Sequence, residues 1–239
     1  MNWAKLAAWP RRYLWQAPRG AVLKHTRNSD KILKTHIAGK SLAIVGNAQS
    51  LFNAEFGIEI DAHDIVIRLN KGFVKSPLAQ GHKTDFWGLT PELSEAEMQD
   101  HFDPKVILFL IPKLRHLRIY RPQNVAKLVF YARRYWLQDR NLIGRRPSSG
   151  FMAISYLLRL DAAKSITLYG FDFGATGTYY NPADYKTPHN YAREAEIILG
   201  WEKEGRIKIM RPALFKFQVI LSVPKSGTRT ISYDQILDY

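Results

Sequence analysis

Five short runs rich in Ile, Val and Leu alternate with segments of helical period, and this alternation is what most constrains how the chain can fold. The runs are "LAIVGN" (42–47), "DIVIRLN" (64–70), "KVILFLI" (105–111), "SITLYGF" (165–171) and "RIKIM" (206–210). Each is short, nearly unbroken by polar residues and rich in β-branched side chains, as strands buried on both faces are. Between them, "FMAISYLLRL" and "NYAREAEIILGWEKEG" read as helices, the second stopped by Gly205 at a C-terminal cap position. "NVAKLVFYARRYWL" predicts a further helix, with Val125, Leu128, Val129, Ala132 and Trp136 on one stripe and Arg133 and Arg134 on a solvated face. Strands alternating with helices predict an α/β fold: a single Rossmann-like domain with a mainly parallel sheet flanked by helices.

The 239 residues suffice for one such domain. Three segments are expected: a basic, aromatic stretch over 1–36, the folded domain over 37–222 and a tail over 223–239. The first 20 residues interleave Trp3, Trp9, Tyr13 and Trp15 with Lys5, Arg11, Arg12 and Arg19. That composition suits either a membrane interface or a core-docked helix broken near Pro10. No apolar run approaches the roughly 20 residues that span a bilayer. With no cysteine, disulfides and thiolate metal sites are excluded. The formal charge of +14 points to an anionic partner without choosing among nucleic acid, acidic lipid and phosphorylated substrate.

In open α/β sheets ligands bind beyond the carboxyl ends of strands, and three segments follow apolar runs accordingly. In "SLAIVGNAQSL", Gly46 allows close backbone approach and Asn47 both donates and accepts. It is neither a dinucleotide fingerprint nor a P-loop, and taken alone an ordinary strand-to-turn Gly-Asn explains it better than a ligand loop does. The same stretch runs on through "GIEIDAHDIVIRLNKG" to a second strand-end amide, Asn70. In "RRPSSGFMAI", Ser148 or Ser149 suits the N-cap of the helix beginning near Phe151. The exposed N–H groups of that turn, together with Gly150, Arg145, Arg146 and the helix dipole, also suit an anion site. In "PHNYAREAEIILGWEKEG", His189 precedes a helix and Glu194 follows five positions later. A histidine there is either a surface residue beside a cap or a neutral proton acceptor, because the positive end of the dipole disfavours its charged form.

Taken in order, these segments resemble the sialyltransferase family, glycosyltransferase family 29. "LAIVGNAQSLFNAEFGIEIDAHDIVIRLN" looks like its long motif, with the Val-Gly-Asn start, the Ile-Asp-x-His-Asp centre and the Arg-x-Asn end. "RPSSGFMAISYLLRLDAAKSITLYGFDF" looks like its short motif, and "HNYAREAEIILGWEKEGRIKI" carries the His-x4-Glu of its very short motif. The resemblance spans roughly 41–210. It implies a variant of the GT-A type fold and an inverting, metal-independent transfer of an acidic 2-keto sugar, sialic acid or Kdo, from its CMP donor. That donor is a substrate; no cofactor and no metal are implied. Asn47 and Asn70 would contact the nucleotide, and Ser148, Ser149 and Gly150 would receive its CMP portion. His189 would be the base for the acceptor hydroxyl, and Glu194 would support it. An aromatic motif before the histidine is matched in part by "TYYN", so that Tyr179 or Tyr180 would hold the phosphate by its hydroxyl.

The chain departs from the family at several places. Asp172 stands where Tyr-Gly-Phe is usually followed by glycine, which puts a carboxylate beside Phe171 and the nucleotide. The disulfide of the animal enzymes would join positions occupied here by Leu42 and Asp161. The anchor and stem of Golgi members are expected to be absent. The resemblance therefore implies a bacterial-type, cytoplasmic enzyme acting on a lipopolysaccharide, lipooligosaccharide or other surface-glycan acceptor, peripheral on the anionic inner membrane, with no nucleic-acid partner. A contrasting reading is a non-catalytic module for nucleic acid or membrane surfaces on a degenerate nucleotide-binding fold, indifferent to substitution of His189. Acceptor choice is assigned to variable loops, including 72–104 and 112–123.

Overall fold

The computed structural model describes residues 22, 26–89, 103–111, 124, 126–181 and 187–212, with the backbone of two further strands over 218–222 and 228–232. Residues 1–20, 90–102 and 112–123, the last expected as a variable loop, lie outside the described residues. Seven strands form one sheet in which every pairing is parallel: β1 (Ser41–Val45), β2 (Ile65–Leu69), β3 (Phe86–Leu89), β4 (Val106–Phe109), β5 (Leu128–Phe130), β6 (Ser165–Tyr169) and β7 (Lys208–Met210). Their order is β5-β4-β3-β2-β1-β6-β7. The chain builds outward from β1 to one edge and returns to lay β6 on the other side of β1. That reversal is a topological switch point between β1 and β6.

Helices α1 (Ser29–Ile37), α2 (Gly57–Asp61), α3 (Pro77–Gln80), α4 (Arg133–Ile143), α5 (Ser149–Leu160) and α6 (Tyr191–Lys203) join the strands. The most apolar of these is α5. Phe151, Met152, Ile154, Tyr156 and Leu157 are each at most 1% exposed, and each such burial contributes roughly 1.5–3 kcal/mol. Helix α6 ends as its sequence indicates, with Gly205 left-handed at φ +72° just past the last turn.

Two sequence expectations are corrected here. The helix expected over 124–137 is a strand, β5, followed by α4 from Arg133. Leu128, Val129 and Phe130 are all buried and β5 pairs with Ile107–Phe109, so sheet pairing outweighs an apolar stripe that fits both periods. The stretch 72–104 is not wholly loop, since Phe86–Leu89 supplies a central strand. Helix α1 runs up to the expected boundary at 37 and packs on the sheet: Leu33 and Ile37 are fully buried, and the Ser29 hydroxyl accepts from the Phe130 N–H at 3.0 Å. At the other end, β8 (Gln218–Ser222) and β9 (Thr228–Ser232) pair antiparallel, one strand on each side of the expected boundary at 222.

Strand β2 buries all five of its residues, Arg68 among them. The guanidinium is 0% exposed. It donates through Nη2 to the Gln80 and Gly81 carbonyls, at 2.8 and 3.1 Å, and through Nε to the Lys83 carbonyl and the Thr84 hydroxyl. Burial pulls its pKa down to about 10, against the raising influence of Tyr179 and Asp61. It stays charged at neutral pH, buried inside the sheet.

Candidate active site

The segments leaving β1, β2 and β6 meet the N-terminal ends of α5 and α6 around one cleft of about 630 Å³, within the usual range for small-molecule sites. It lies at the switch point, where such sheets bind ligands. The candidate residues identified from sequence line this cleft, except Arg145 and Tyr179. Residues from 46 to 194 along the chain are thereby brought to one place.

At one wall the chain turns from Pro147 into α5. Ser148 is the N-cap, its hydroxyl accepting from the Phe151 N–H at 3.1 Å. The same residue gives its own N–H and O–H to the Glu194 carboxylate, at 2.7 and 2.5 Å. Ser148 is therefore saturated, while the N–H groups of Ser149 and Gly150, the next two of the turn, have no hydrogen-bond partner among the described residues. A helix start with open N–H groups favours an anion. Asn70 faces this turn: its amide nitrogen donates to the Ser149 hydroxyl at 3.1 Å. Asn70 sits at φ +49°, a left-handed conformation that asparagine tolerates better than most residues.

Across the cleft, His189 precedes Asn190, whose side chain caps α6 by accepting from the Arg193 N–H. His189 Nδ1 lies 2.9 Å from the Arg146 carbonyl oxygen. A carbonyl only accepts, so Nδ1 carries the proton and Nε2 keeps the lone pair. Burial holds the imidazole below its usual pKa and the Arg146 charge adds to this, against the raising effect of the carbonyl hydrogen bond. The ring is neutral at pH 7 and able to take a proton at Nε2. The sequence attributes this neutrality to the α6 dipole; burial is the larger cause.

Several residues have roles other than those read from sequence. Gly46 and Gly150 serve internal packing: a Cβ on Gly46 would lie 2.4 Å from the Gly170 carbonyl oxygen, and one on Gly150 would lie 2.8 Å from the Phe171 ring. Phe171 thus wedges between the strand end and the helix start. Asp172 is 4% exposed and turned into its own loop. It accepts from the Ser50 hydroxyl at 3.0 Å, the Gly174 and Thr176 N–H groups at 3.1 Å each, and the Thr176 hydroxyl, so its carboxylate shapes the loop at the cleft wall. Of the adjacent tyrosines, Tyr180 lines the cleft and Tyr179 stands behind it, its hydroxyl pushed up to about 12 chiefly by burial.

Glu194 is 2% exposed and tied to Ser148 instead of to the histidine segment. Burial raises its pKa to about 7, with Asp139 adding to the rise and the two Ser148 hydrogen bonds opposing it. Lys71 and Tyr191 also line the cleft without having been singled out. Tyr191 packs its ring against His189 at 5.7 Å and over Gly174, which is left-handed at φ +88°. Lys71 directly follows Asn70, the only clue to it in the sequence. Among the described residues no group of three His, Asp or Glu side chains is placed to hold a metal ion.

An all-parallel sheet whose switch-point cleft joins an open helix N-terminus to a neutral histidine places the molecule among the GT-A-like α/β proteins. Residues 21–121 match the family model of glycosyltransferase family 29 (sialyltransferase). The chain is 26% identical over 179 residues to the mouse CMP-N-acetylneuraminate-beta-galactosamide-alpha-2,3-sialyltransferase 1, covering 64% of this chain and 51% of the mouse protein. It is 27% identical over 183 residues to the human protein of that name, at the same coverage. A mammalian sialyltransferase crystallised with Gal-beta-1-3GalNAc-ortho-nitrophenol shares the fold, with a TM-score of 0.56 and 21% identity over 74% of this chain and 71% of that one. Over these stretches the chain is similar to the sialyltransferases of glycosyltransferase family 29. It spans about half the length of the curated relatives it matches.

Proposed function

We propose that the chain is an inverting, metal-independent glycosyltransferase that moves an acidic 2-keto sugar from its CMP donor to a hydroxyl of a glycan acceptor, with His189 as the general base. The observation that carries this reading is the His189–Arg146 hydrogen bond. It leaves an unprotonated Nε2 in the same cleft as the open N–H groups of Ser149 and Gly150.

In this reading Nε2 takes the acceptor proton as the acceptor oxygen attacks the anomeric carbon. The new C–O bond forms on the face opposite the departing phosphate, and the sugar–phosphate C–O bond breaks with its electron pair going to CMP. A single displacement of this kind inverts the anomeric centre. The charge gathering on the leaving phosphate meets the Ser149 and Gly150 N–H groups, with Arg146 and Lys71 nearby on the cleft lining, an arrangement that stabilises it without a metal. The relatives' names specify CMP-N-acetylneuraminate, which favours sialic acid over Kdo as the sugar.

For the acceptor we propose a bacterial lipopolysaccharide, lipooligosaccharide or similar surface glycan, reached in the cytoplasm at the inner membrane. The net charge of +14 suits all of these anionic surfaces. No helix among the described residues is long and apolar enough to cross a membrane. The test is calorimetry with CMP, CDP, UDP and S-adenosylmethionine, followed by turnover of CMP-Neu5Ac against CMP-Kdo. Selective binding of CMP and release of CMP from CMP-Neu5Ac support the reading. Equal binding of all four, or of none, overturns it.

A further inference from the structure

A chain of buried and half-buried polar groups links Gln80 to two residues that line the cleft. Gln80, at the end of α3, is 0% exposed. Its Oε1 accepts from the Lys75 and Ser76 N–H groups, at 2.7 and 3.0 Å, which fixes the orientation of the amide. Nε2 must then point at the Tyr179 hydroxyl, 3.3 Å away, and an NH₂ group only donates. The Tyr179 oxygen accepts, so its own proton goes to Asn47 Oδ1 at 3.3 Å or the Phe73 carbonyl at 3.2 Å. With Oδ1 as the accepting end of Asn47, Nδ2 donates to the Leu69 carbonyl at 2.9 Å and to the Tyr180 hydroxyl at 3.4 Å. Asn47 and Tyr180 both line the cleft.

Arg68 anchors the start of this relay. Its Nη2 holds the Gln80 carbonyl at 2.8 Å. Among the described residues its Nη1 has no hydrogen-bond partner and no carboxylate forms an ion pair with it. A buried charge lacking a counter-ion is costly, and a purely structural contact at this place would be served more cheaply by an apolar side chain. Here the cation holds the Gln80 backbone, and its charge pulls on the Tyr179 hydroxyl proton against the stronger effect of burial.

We propose that Gln80, seated on Arg68, is a positioning residue for the donor site. By setting the hydrogen-bond direction through Tyr179, it fixes which face Asn47 and Tyr180 turn towards the CMP portion of the donor. The proposal rests on the reading of the cleft as a CMP site. The test uses the full chain and titrates CMP by calorimetry into wild type, Gln80→Glu, Tyr179→Phe and the double variant. In Gln80→Glu the new carboxylate still accepts from Lys75 and Ser76 and has Arg68 beside it, but it no longer donates to Tyr179, whose proton turns away from Asn47.

Each single variant is expected to weaken CMP binding about tenfold, the size of one lost polar interaction. The double variant is expected to bind no more weakly than either single one, because both break the same relay. The acceptor KM should stay unchanged, which a general loosening of the fold would not allow. Wild-type CMP affinity in Gln80→Glu, or single effects that multiply in the double variant, overturns the proposal and leaves the cleft reading intact. Should Gln80→Glu fail to fold, Tyr179→Phe decides alone: unchanged affinity refutes the relay. Absence of CMP binding by wild type defeats the cleft reading, and the relay falls with it.

Discussion

Replacing Glu194 with glutamine isolates the clamp that shapes the α5 end of the cleft. The carboxyl is 2% exposed and its pKa is raised to about 7. A group whose folded pKa lies above its unfolded value of 4.5 stabilises the fold fully below pH 4.5 and loses that contribution as the pH rises through 7. Between pH 5 and pH 8 this one group is expected to cost about 2–3 kcal/mol of stability. Glutamine keeps the shape, still accepts from the Ser148 N–H and offers an NH₂ to the Ser148 oxygen, but it does not titrate. Urea unfolding of wild type and Glu194→Gln at both pH values measures the difference directly. The expected result is that the variant loses about 2–3 kcal/mol less than wild type on going from pH 5 to pH 8. Equal pH slopes for the two proteins would show that Glu194 is not held buried against Ser148, and the account of the α5 start would be wrong.

Other substitutions probe the site from different sides. Ser149→Val removes the hydroxyl that receives the Asn70 amide while keeping the fold; CMP affinity by calorimetry is expected to fall by about tenfold, the equivalent of one hydrogen bond. Gly46→Ala pushes a Cβ to 2.4 Å from the Gly170 oxygen and is expected to lower stability by about 1–3 kcal/mol in chemical denaturation, the usual cost of overpacking. With the His189 pKa held below its usual value, the acid limb of kcat/KM is expected below pH 6.5, the unperturbed histidine value. A limb above that value in the pH–rate profile would contradict the buried, neutral base.

The strand-and-helix alternation is readable because parallel strands buried on both faces leave continuous apolar runs, and the site positions follow from the rule that ligands lie beyond strand ends. What the residues do there is less readable. Gly46 and Gly150 suggest close approach of a ligand, yet both spaces are taken by Gly170 and Phe171, contacts made across more than 20 residues of chain. Asp172 reads as a carboxylate beside the nucleotide, and local sequence does not reveal that Ser50 and Thr176 bind it into the loop at the cleft wall. Glu194 reads as support for His189 because the two are sequence neighbours, whereas α6 carries it to Ser148. The misread stretch at 124–137 has a related cause: Leu128 and Val129 suit a helical stripe as well as a buried strand, and only the presence of β4 decides. Phe86–Leu89 escapes notice because a four-residue strand containing Gly88 is too short to show a period.

The central claim is that His189 Nε2 is the proton acceptor in sugar transfer. Its most direct test compares wild type with His189→Ala in CMP binding by calorimetry and in CMP release from CMP-Neu5Ac with a galactoside acceptor. The expected result is CMP affinity within about twofold of wild type and turnover lower by at least about 100-fold, the usual scale for a general base. Near-wild-type turnover by His189→Ala would contradict the account.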